Sequence, residues 1–218
     1  MKVTMIGKTV ITNPELIAEL KSNSPEQLIM YCARVSNPKN QLSGKPGLLK
    51  YCLDHGHVSI FEMSDMIVEI ETSRAIAAQI LRHWSFSFQE FSQRYAEVQE
   101  FELYEARGQD PKNRQNSLDN LPKETRKWFK KAQKKIWEKS MNYYKTALDA
   151  GVAKEQARFL LPLNTKTKLY MKGNLRDWIN YLNLRTGNGT QLEHQAIAKE
   201  IKKILVQEFP IIAEALKW

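Results

Sequence analysis

The run Arg82-His83-Trp84-Ser85-Phe86-Ser87-Phe88-Gln89-Glu90-Phe91-Ser92-Gln93-Arg94-Tyr95 sets two arginines, a histidine, a carboxylate, two amides and three serines among five aromatic rings. A fold core does not use that mixture. Arginine offers a rigid fork of donors matched to phosphate or carboxylate. Aromatic rings exclude water or stack on a flat partner, and Ser, Gln and Glu read polar edges. Taken alone the run points to a planar, anionic ligand. It also fits an amphipathic helix end followed by a solvated loop, since charged side chains are mostly exposed.

Immediately upstream, Met66, Val68 and Ile70 alternate with Ile67, Glu69 and Glu71, the period of a half-buried strand. Thr72 or Ser73 then caps a helix whose Ile76, Ala77, Ile80 and Leu81 have helical spacing. Gln79, Arg82 and His83 fall at its C-terminal end, Gln79 and Arg82 on one face. The run therefore leaves a rigid element. Farther back, Lys2 to Ile11 reads as an edge strand or hairpin arm, and Asn13-Pro14 starts a short helix. Ser24-Pro25-Glu26-Gln27 reads as a capping box for a second helix, which Asn37-Pro38 stops. After a Gly/Pro/Ser loop, Leu48, Leu49, Cys52 and Leu53 mark a third helix ended by Gly56. The segment Gly56-His57-Val58-Ser59-Ile60-Phe61-Glu62 reads as too polar and irregular for a core element.

Downstream, residues 96–120 are polar, with few apolar anchors, and read as a long loop with little regular structure, of the kind that is usually a functional lid or partly disordered. A long helix over 122–150 carries Phe129, Ile136, Tyr143 and Ala147 near heptad spacing, widened by Trp128, Ala132 and Leu148 and closed by Gly151. It is expected to bury that aromatic face on the sheet or on a neighbouring subunit, leaving Lys130, Lys131, Lys134, Lys135 and Lys139 solvated. Helix resumes from Val152 to Leu161 with Arg158 near its end, and Lys166 to Lys172 alternates as a strand. Asn174 caps a helix carrying Arg176, Asn180 and Arg185, and the last helix, Thr190 to Glu208, is expected to bury Leu192, Ile197, Ile201, Ile204 and Leu205. With no repeat and no linker, residues 1–218 are expected to form one α+β catalytic domain. A central, mostly antiparallel sheet would be flanked by helices, with loop 96–120 and helix 122–150 as an embellishment.

At 218 residues, 42% hydrophobic and 26% charged, the chain is long enough for a substantial core and is not disordered in composition. Its formal charge of +9 favours anionic partners. Apolar runs are too short for a bilayer and the first residues lack a signal-peptide stretch, so no membrane association and a cytoplasmic location are expected. Cys32 and Cys52 lie in apolar periodic segments without CxxC spacing and read as buried small hydrophobes. The histidines are His55, His57, His83 and His194, too few in any one place for a zinc site, so no metal is expected. Phosphate loops are missing as well: Gly44-Lys45-Pro46 and Gly187-Asn188-Gly189 lack the residues such loops need. Arginines 82, 94, 158, 176 and 185, all near element ends, are the candidate anion holders.

Ala33-Arg34-Val35-Ser36, Gly56 to Glu62 and the run from Arg82, the last like an RHRx7S signature followed by Arg-Tyr, together resemble the flavin-dependent thymidylate synthases. Ala157-Arg158-Phe159-Leu160-Leu161-Pro162, Asn174-Leu175-Arg176 and Asn180-Tyr181-Leu182-Asn183-Leu184-Arg185 with Gln191 and Glu193 extend the resemblance from about residue 30 to the C-terminus. It is interrupted over residues 96–150. The resemblance implies that family's fold and the reductive methylation of dUMP to dTMP, with methylenetetrahydrofolate as carbon donor, FAD as redox carrier and NADPH as reductant. It implies no cysteine nucleophile. By the same resemblance Gln79, Arg82, Glu90, Ser92, Gln93, Arg94, Arg158 and Arg185 hold dUMP, Arg185 acting catalytically against the uracil. His57, Ser59, Arg82, His83, Trp84, Glu90, Asn174, Arg176 and Asn180 hold FAD. A homotetramer with sites shared between subunits is implied too.

Two positions depart from the family pattern: Trp84 stands where the third residue of Arg-His-Arg is arginine, and Gly189 stands where many relatives carry a side chain near the flavin. FAD binding is expected to survive the first, with the indole stacking on a ring of the cofactor. The competing readings are a basic nucleic-acid-binding module built on the lysine-rich helix, in place of the expectation of no nucleic acid, and a flavin-binding relative with impaired methyl transfer.

Overall fold

The computed structural model describes residues 1–218. Strand β1 (Lys2–Lys8) is followed by helices α1 (Pro14–Leu20), α2 (Pro25–Ala33) and α3 (Gly47–Asp54), with 3-10 turns over Pro38–Asn40 and Val58–Met63. Strand β2 (Asp65–Ser73), helix α4 (Arg74–Ile80) and strand β3 (Ser87–Glu90) come next, then a hairpin of two short strands, β4 (Gly108–Gln109) and β5 (Ser117–Leu118). Helices α5 (Lys123–Asp149) and α6 (Lys154–Ala157) lead through a 3-10 turn, Arg158–Leu160, to strand β6 (Lys166–Asn174). The chain closes with α7 (Leu175–Arg185), α8 (Leu192–Glu208) and α9 (Pro210–Leu216). No helix is long and apolar enough to cross a membrane.

Alternation builds the sheet, whose order is β1-β2-β6-β3 with every pair antiparallel. The β2–β6 ladder runs from Asp65 opposite Asn174 to Ser73 opposite Lys166. On one face Met66, Val68, Ile70, Leu169 and Met171 are fully buried against α4, α7, α8 and α9 in a core cluster of 25 residues. On the other face the same strands carry ion pairs, Lys168 to Glu69 at 3.2 Å and Lys172 to Asp65 at 3.2 Å. Because β2 and β3 are both antiparallel to β6, they run parallel to each other with β6 between them, and α4 makes the crossover. That crossover carries Arg82 and His83 back along the sheet toward the end of β6 where α7 begins.

Helix ends follow their caps. Asn13 accepts from Leu16 N–H, and Asn174 accepts from Asp177 N–H at 3.0 Å. Ser24 accepts from Glu26 N–H, but the reciprocal half of a capping box is missing, since Ser24 N–H donates to Ser22 Oγ. Glu26 is instead buried and accepts from Ile212 N–H at 2.8 Å, tying α2 to the start of α9. That helix is an addition to the sequence reading, in which Pro210 ends the last helix; proline suits the first helical position and so restarts one.

Five further expectations are corrected. The segment Gly56 to Glu62 contributes Phe61 to the core at 0% exposure. The run after His83 contains edge strand β3 and the buried Phe86, an alternation masked by the surrounding polar residues. Loop 96–120 buries Val98, Glu102 and Ala106. In α5 the buried side chains are Trp137 and Tyr144, one residue on from Ile136 and Tyr143; Trp128, Ile136 and Tyr143 stay 66%, 54% and 51% exposed. Loop residues hold that helix: Phe101 stacks on Trp137 with centroids 4.8 Å apart, and the Gln133 amide clasps both backbone groups of Tyr104. Leu192 is likewise exposed, at the solvent side of the first turn of α8.

Phe86 fits because residue 173 is glycine. A Cβ there would stand 2.5 Å from the Phe86 ring. Gly173→Ala should therefore destabilise the fold by about 1–3 kcal/mol, several degrees in Tm by thermal unfolding. Gly7→Ala in β1, where a Cβ meets nothing within 4 Å, should stay within about 0.5 kcal/mol.

Candidate functional site

Where the crossover from α4 meets the first turns of α7, a cleft of about 550 Å³ opens. Its lining includes His83, Trp84, Asn174, Arg176 and Asn180, five of the residues singled out in the sequence, together with Glu62, Ser85, Phe86, Asp177, Tyr181 and Leu184. Arg176 and Asn180 lie one turn apart on the same face of α7. Trp84 is 93% exposed, a large apolar ring offered to solvent at the cleft. Aromatic walls stand behind it: Phe86 meets Trp178 at 4.7 Å and Tyr181 at 5.7 Å.

Arg185, one turn beyond Tyr181, donates from Nε to His83 Nε2 at 2.9 Å. Guanidinium only donates, so His83 Nε2 accepts, and the neutral ring carries its proton on Nδ1. Burial, then the charges of Arg185 and Arg82, pushes the His83 imidazole down to about 4. Behind it His194 Nε2 lies 3.0 Å from the Tyr181 hydroxyl. Burial, then Arg185 and His83, likewise holds His194 down to about 4, and burial pushes the Tyr181 hydroxyl up. Asp177 is raised by burial, against a hydrogen bond from Ser85.

Other candidates lie elsewhere on the chain. Ser92 and Arg94 line a separate depression with Tyr95, Ala153, Lys154 and Glu155. There Arg94 contacts the Glu155 carboxylate at 3.0 Å, and Arg158 donates to Glu155 O at 3.1 Å. Ser92 Oγ accepts from Arg94 N–H at 3.3 Å. Gln93 is buried, with its Nε2 unpartnered. Glu90 on β3 pairs with Arg74 at 2.6 Å and accepts from Thr167 at 2.8 Å. Gln79 donates to Gln191 at 2.6 Å; Gln191 in turn reaches Glu193, which Arg107 holds at 2.5 Å. Arg82 is exposed, and His57 and Ser59 are exposed outside the lining of the cleft. One chain thus brings together His83, Trp84, Asn174, Arg176 and Asn180 of the residues expected at a flavin, but not Ser92, Arg94 and Arg158 with them.

Sequence reading missed Tyr181 and His194. The signal was available: Tyr181 stands four residues before Arg185, and His194 lies on the same α8 face as Ile197 and Ile201, where an imidazole is out of place. Glu62 stood in a quoted motif without a role; here it meets Arg176 at 2.5 Å.

A family model described as "Thymidylate synthase complementing protein" matches residues 15–211. The chain is 55% identical over 208 residues to a flavin-dependent thymidylate synthase of Synechocystis sp., covering 95% of this chain and 97% of that protein. It is 56% identical over 199 residues to a probable flavin-dependent thymidylate synthase of Paramecium bursaria Chlorella virus 1, covering 90% and 92%. Among solved structures it resembles a UMP/dUMP methylase, PolB of Streptomyces cacaoi, bound with 5-Br dUMP. The TM-score is 0.81 at 22% identity, over 99% of this chain and 94% of that one; at that identity the likeness shows the fold.

Both imidazoles, His194 buried and His83 half-buried, sit below the ordinary histidine value of 6.5. Between about 6.5 and about 4 the unfolded chain binds more protons than the folded one, so stability should fall as pH drops through that window and be indifferent to these groups above it. Urea midpoints at about pH 7.5 and about pH 5 should show the loss, and His194→Leu should narrow the difference between them. An equal difference in both proteins would refute it.

Proposed function

This chain belongs to the flavin-dependent thymidylate synthase family, and on that premise we propose that it converts dUMP to dTMP by reductive methylation. Methylenetetrahydrofolate is the carbon donor, FAD the redox carrier and NADPH the reductant. The observation that carries this reading is the cleft in which His83, Trp84, Asn174, Arg176 and Asn180 converge beside Arg185.

The lining fits a flavin. It offers an exposed indole, a guanidinium, two amides and an imidazole whose Nδ1–H makes no hydrogen bond within the protein, around a volume in the range of small-molecule sites. Trp84, Arg176, Asn180, Asn174 and His83 would hold the group, with Arg82, Ser59, His57 and Glu90 reaching it from beyond the cleft. Asn174 keeps Nδ2 for this, its Oδ1 being used as the α7 cap. When bound, FAD passes on the electrons that NADPH delivers and that take the one-carbon unit to the methyl level.

A thiol route is poorly served here. Burial pushes the Cys32 and Cys52 thiols up, so neither is an activated thiolate. Arg185 does different work: permanently charged, it favours the ionised uracil and so raises electron density at C5. Gln79, Arg82, Glu90, Ser92, Gln93, Arg94 and Arg158 complete the dUMP site, the nucleotide phosphate replacing the Glu155 carboxylate on Arg94. Ser92 acts there as a hydrogen-bond donor, since its Oγ meets only the Arg94 N–H and is not bonded to a carboxylate or imidazole.

The depression lined by Ser92 and Arg94, with Arg158 bonded to Glu155 beside it, is separate from the His83 cleft within one chain, which supports a homotetramer whose sites combine residues of different copies. The exposed Trp128, Ile136 and Tyr143 of α5 support the same reading. Residues 1–218 then act as one catalytic domain, in a cytoplasmic setting.

Tritium release from C5-labelled dUMP, dependent on both folate and NADPH, tests the proposal; release that needs neither, or none at all, counts against it. Arg185→Ala should lower turnover by about 100-fold or more. Trp84→Ala should weaken FAD binding by about tenfold, the scale of one lost stacking contact, read by flavin fluorescence. Unchanged affinity would remove Trp84 from the site.

A further inference from the structure

Tyr181 and His194 are buried, at 2% and 0% exposure, and neither holds a ligand in the reading given for the cleft. Their one shared hydrogen bond, 3.0 Å from hydroxyl to Nε2, leaves His194 Nδ1 buried without a partner. Buried polar atoms are nearly always paired, and an apolar pair would fill this place without that penalty. Such local violations concentrate where function requires them.

What the pair touches shows the use. Tyr181 shares a face of α7 with Arg185, one turn on. Its ring meets His83 edge to face, centroids 4.9 Å apart and planes at 82°. His83 also has Phe86 at 6.4 Å and His194 at 6.2 Å, so aromatic neighbours enclose its ring. That ring also accepts a bond from Arg185 Nε at 2.9 Å, and His83 lines the cleft.

We propose that Tyr181 and His194 are positioning residues for Arg185, acting through His83. The hydrogen bond to His194 pins the far end of the Tyr181 side chain, the pinned ring sets the plane of His83, and the His83 Nε2 lone pair aims the guanidinium. What Arg185 does rests on the synthase reading; how it is held rests on this geometry alone.

Tyr181→Phe removes one hydroxyl and keeps the ring. His194→Leu fills the site with apolar volume, and His194→Gln keeps a polar partner for the hydroxyl. In long-range ¹H–¹⁵N spectra at about pH 7, His83 of the unaltered protein should be a single neutral tautomer with its proton on Nδ1. Tyr181→Phe and His194→Leu should populate both tautomers, and His194→Gln should restore one. A mixture in the unaltered protein, or variants indistinguishable from it, overturns the proposal.

Kinetics give the second readout. In FAD-saturated protein the two disruptive substitutions should lower kcat for dTMP formation about tenfold, as expected for a misplaced group. In an Arg185→Ala background they should add nothing. Equal losses in both backgrounds, or a loss that tracks flavin content or Tm, overturn it. A protein that forms no dTMP refutes the synthase reading, while the tautomer comparison still decides the positioning claim.

Discussion

The β2–β6 ladder is the constraint on which the rest of the molecule depends. It joins residues 65–73 to residues 166–174 in register, across most of the chain. At its Ser73 end it launches α4, and at its Asn174 end it launches α7. Helix α4 turns the chain back along the sheet, so that β3 can enter opposite Lys172. His83 is thereby delivered to α7, and Gly173 leaves room for Phe86 to seal the junction. The cleft is a product of sheet topology, and its two walls come from distant parts of the sequence.

Charge distribution separates Arg185 from the arginines that carboxylates hold. Arg74, Arg94, Arg107 and Arg176 already meet carboxylates within the chain. An anionic ligand at those positions competes with Glu90, Glu155, Glu193 or Glu62. Arg185 is bonded instead to a histidine that burial keeps neutral. A neutral acceptor orients a guanidinium without cancelling its charge, which suits a group meant to stabilise negative charge developing on a substrate.

Much of this was legible in the amino-acid sequence. Caps and alternation announced α1, α2, α7, β2 and β6, because those signals are local. Arg176 and Asn180 were placed on one face by spacing alone, and both line the cleft. The misses have physical causes. Strand β3 hides in a polar edge run where only Phe86 and Phe88 alternate inward. The stripe on α5 was read one residue out of phase, because its partners, Phe101 and Tyr104, lie in a loop without periodicity. Helix α9 follows a proline that serves equally to stop or to start a helix. The bond between Arg185 and His83 spans residues brought together by the whole topology, and no local pattern announces it.

In the proposed arrangement the His83–Arg185 junction holds a flavin and presents Arg185 to the pyrimidine of dUMP. Adding dUMP to the FAD-loaded protein and recording the flavin absorbance tests it most directly. dUMP should perturb the flavin band in the unaltered protein, and Arg185→Ala should abolish the perturbation while retaining the flavin. A protein that takes up no FAD, or a flavin band indifferent to dUMP, would contradict it.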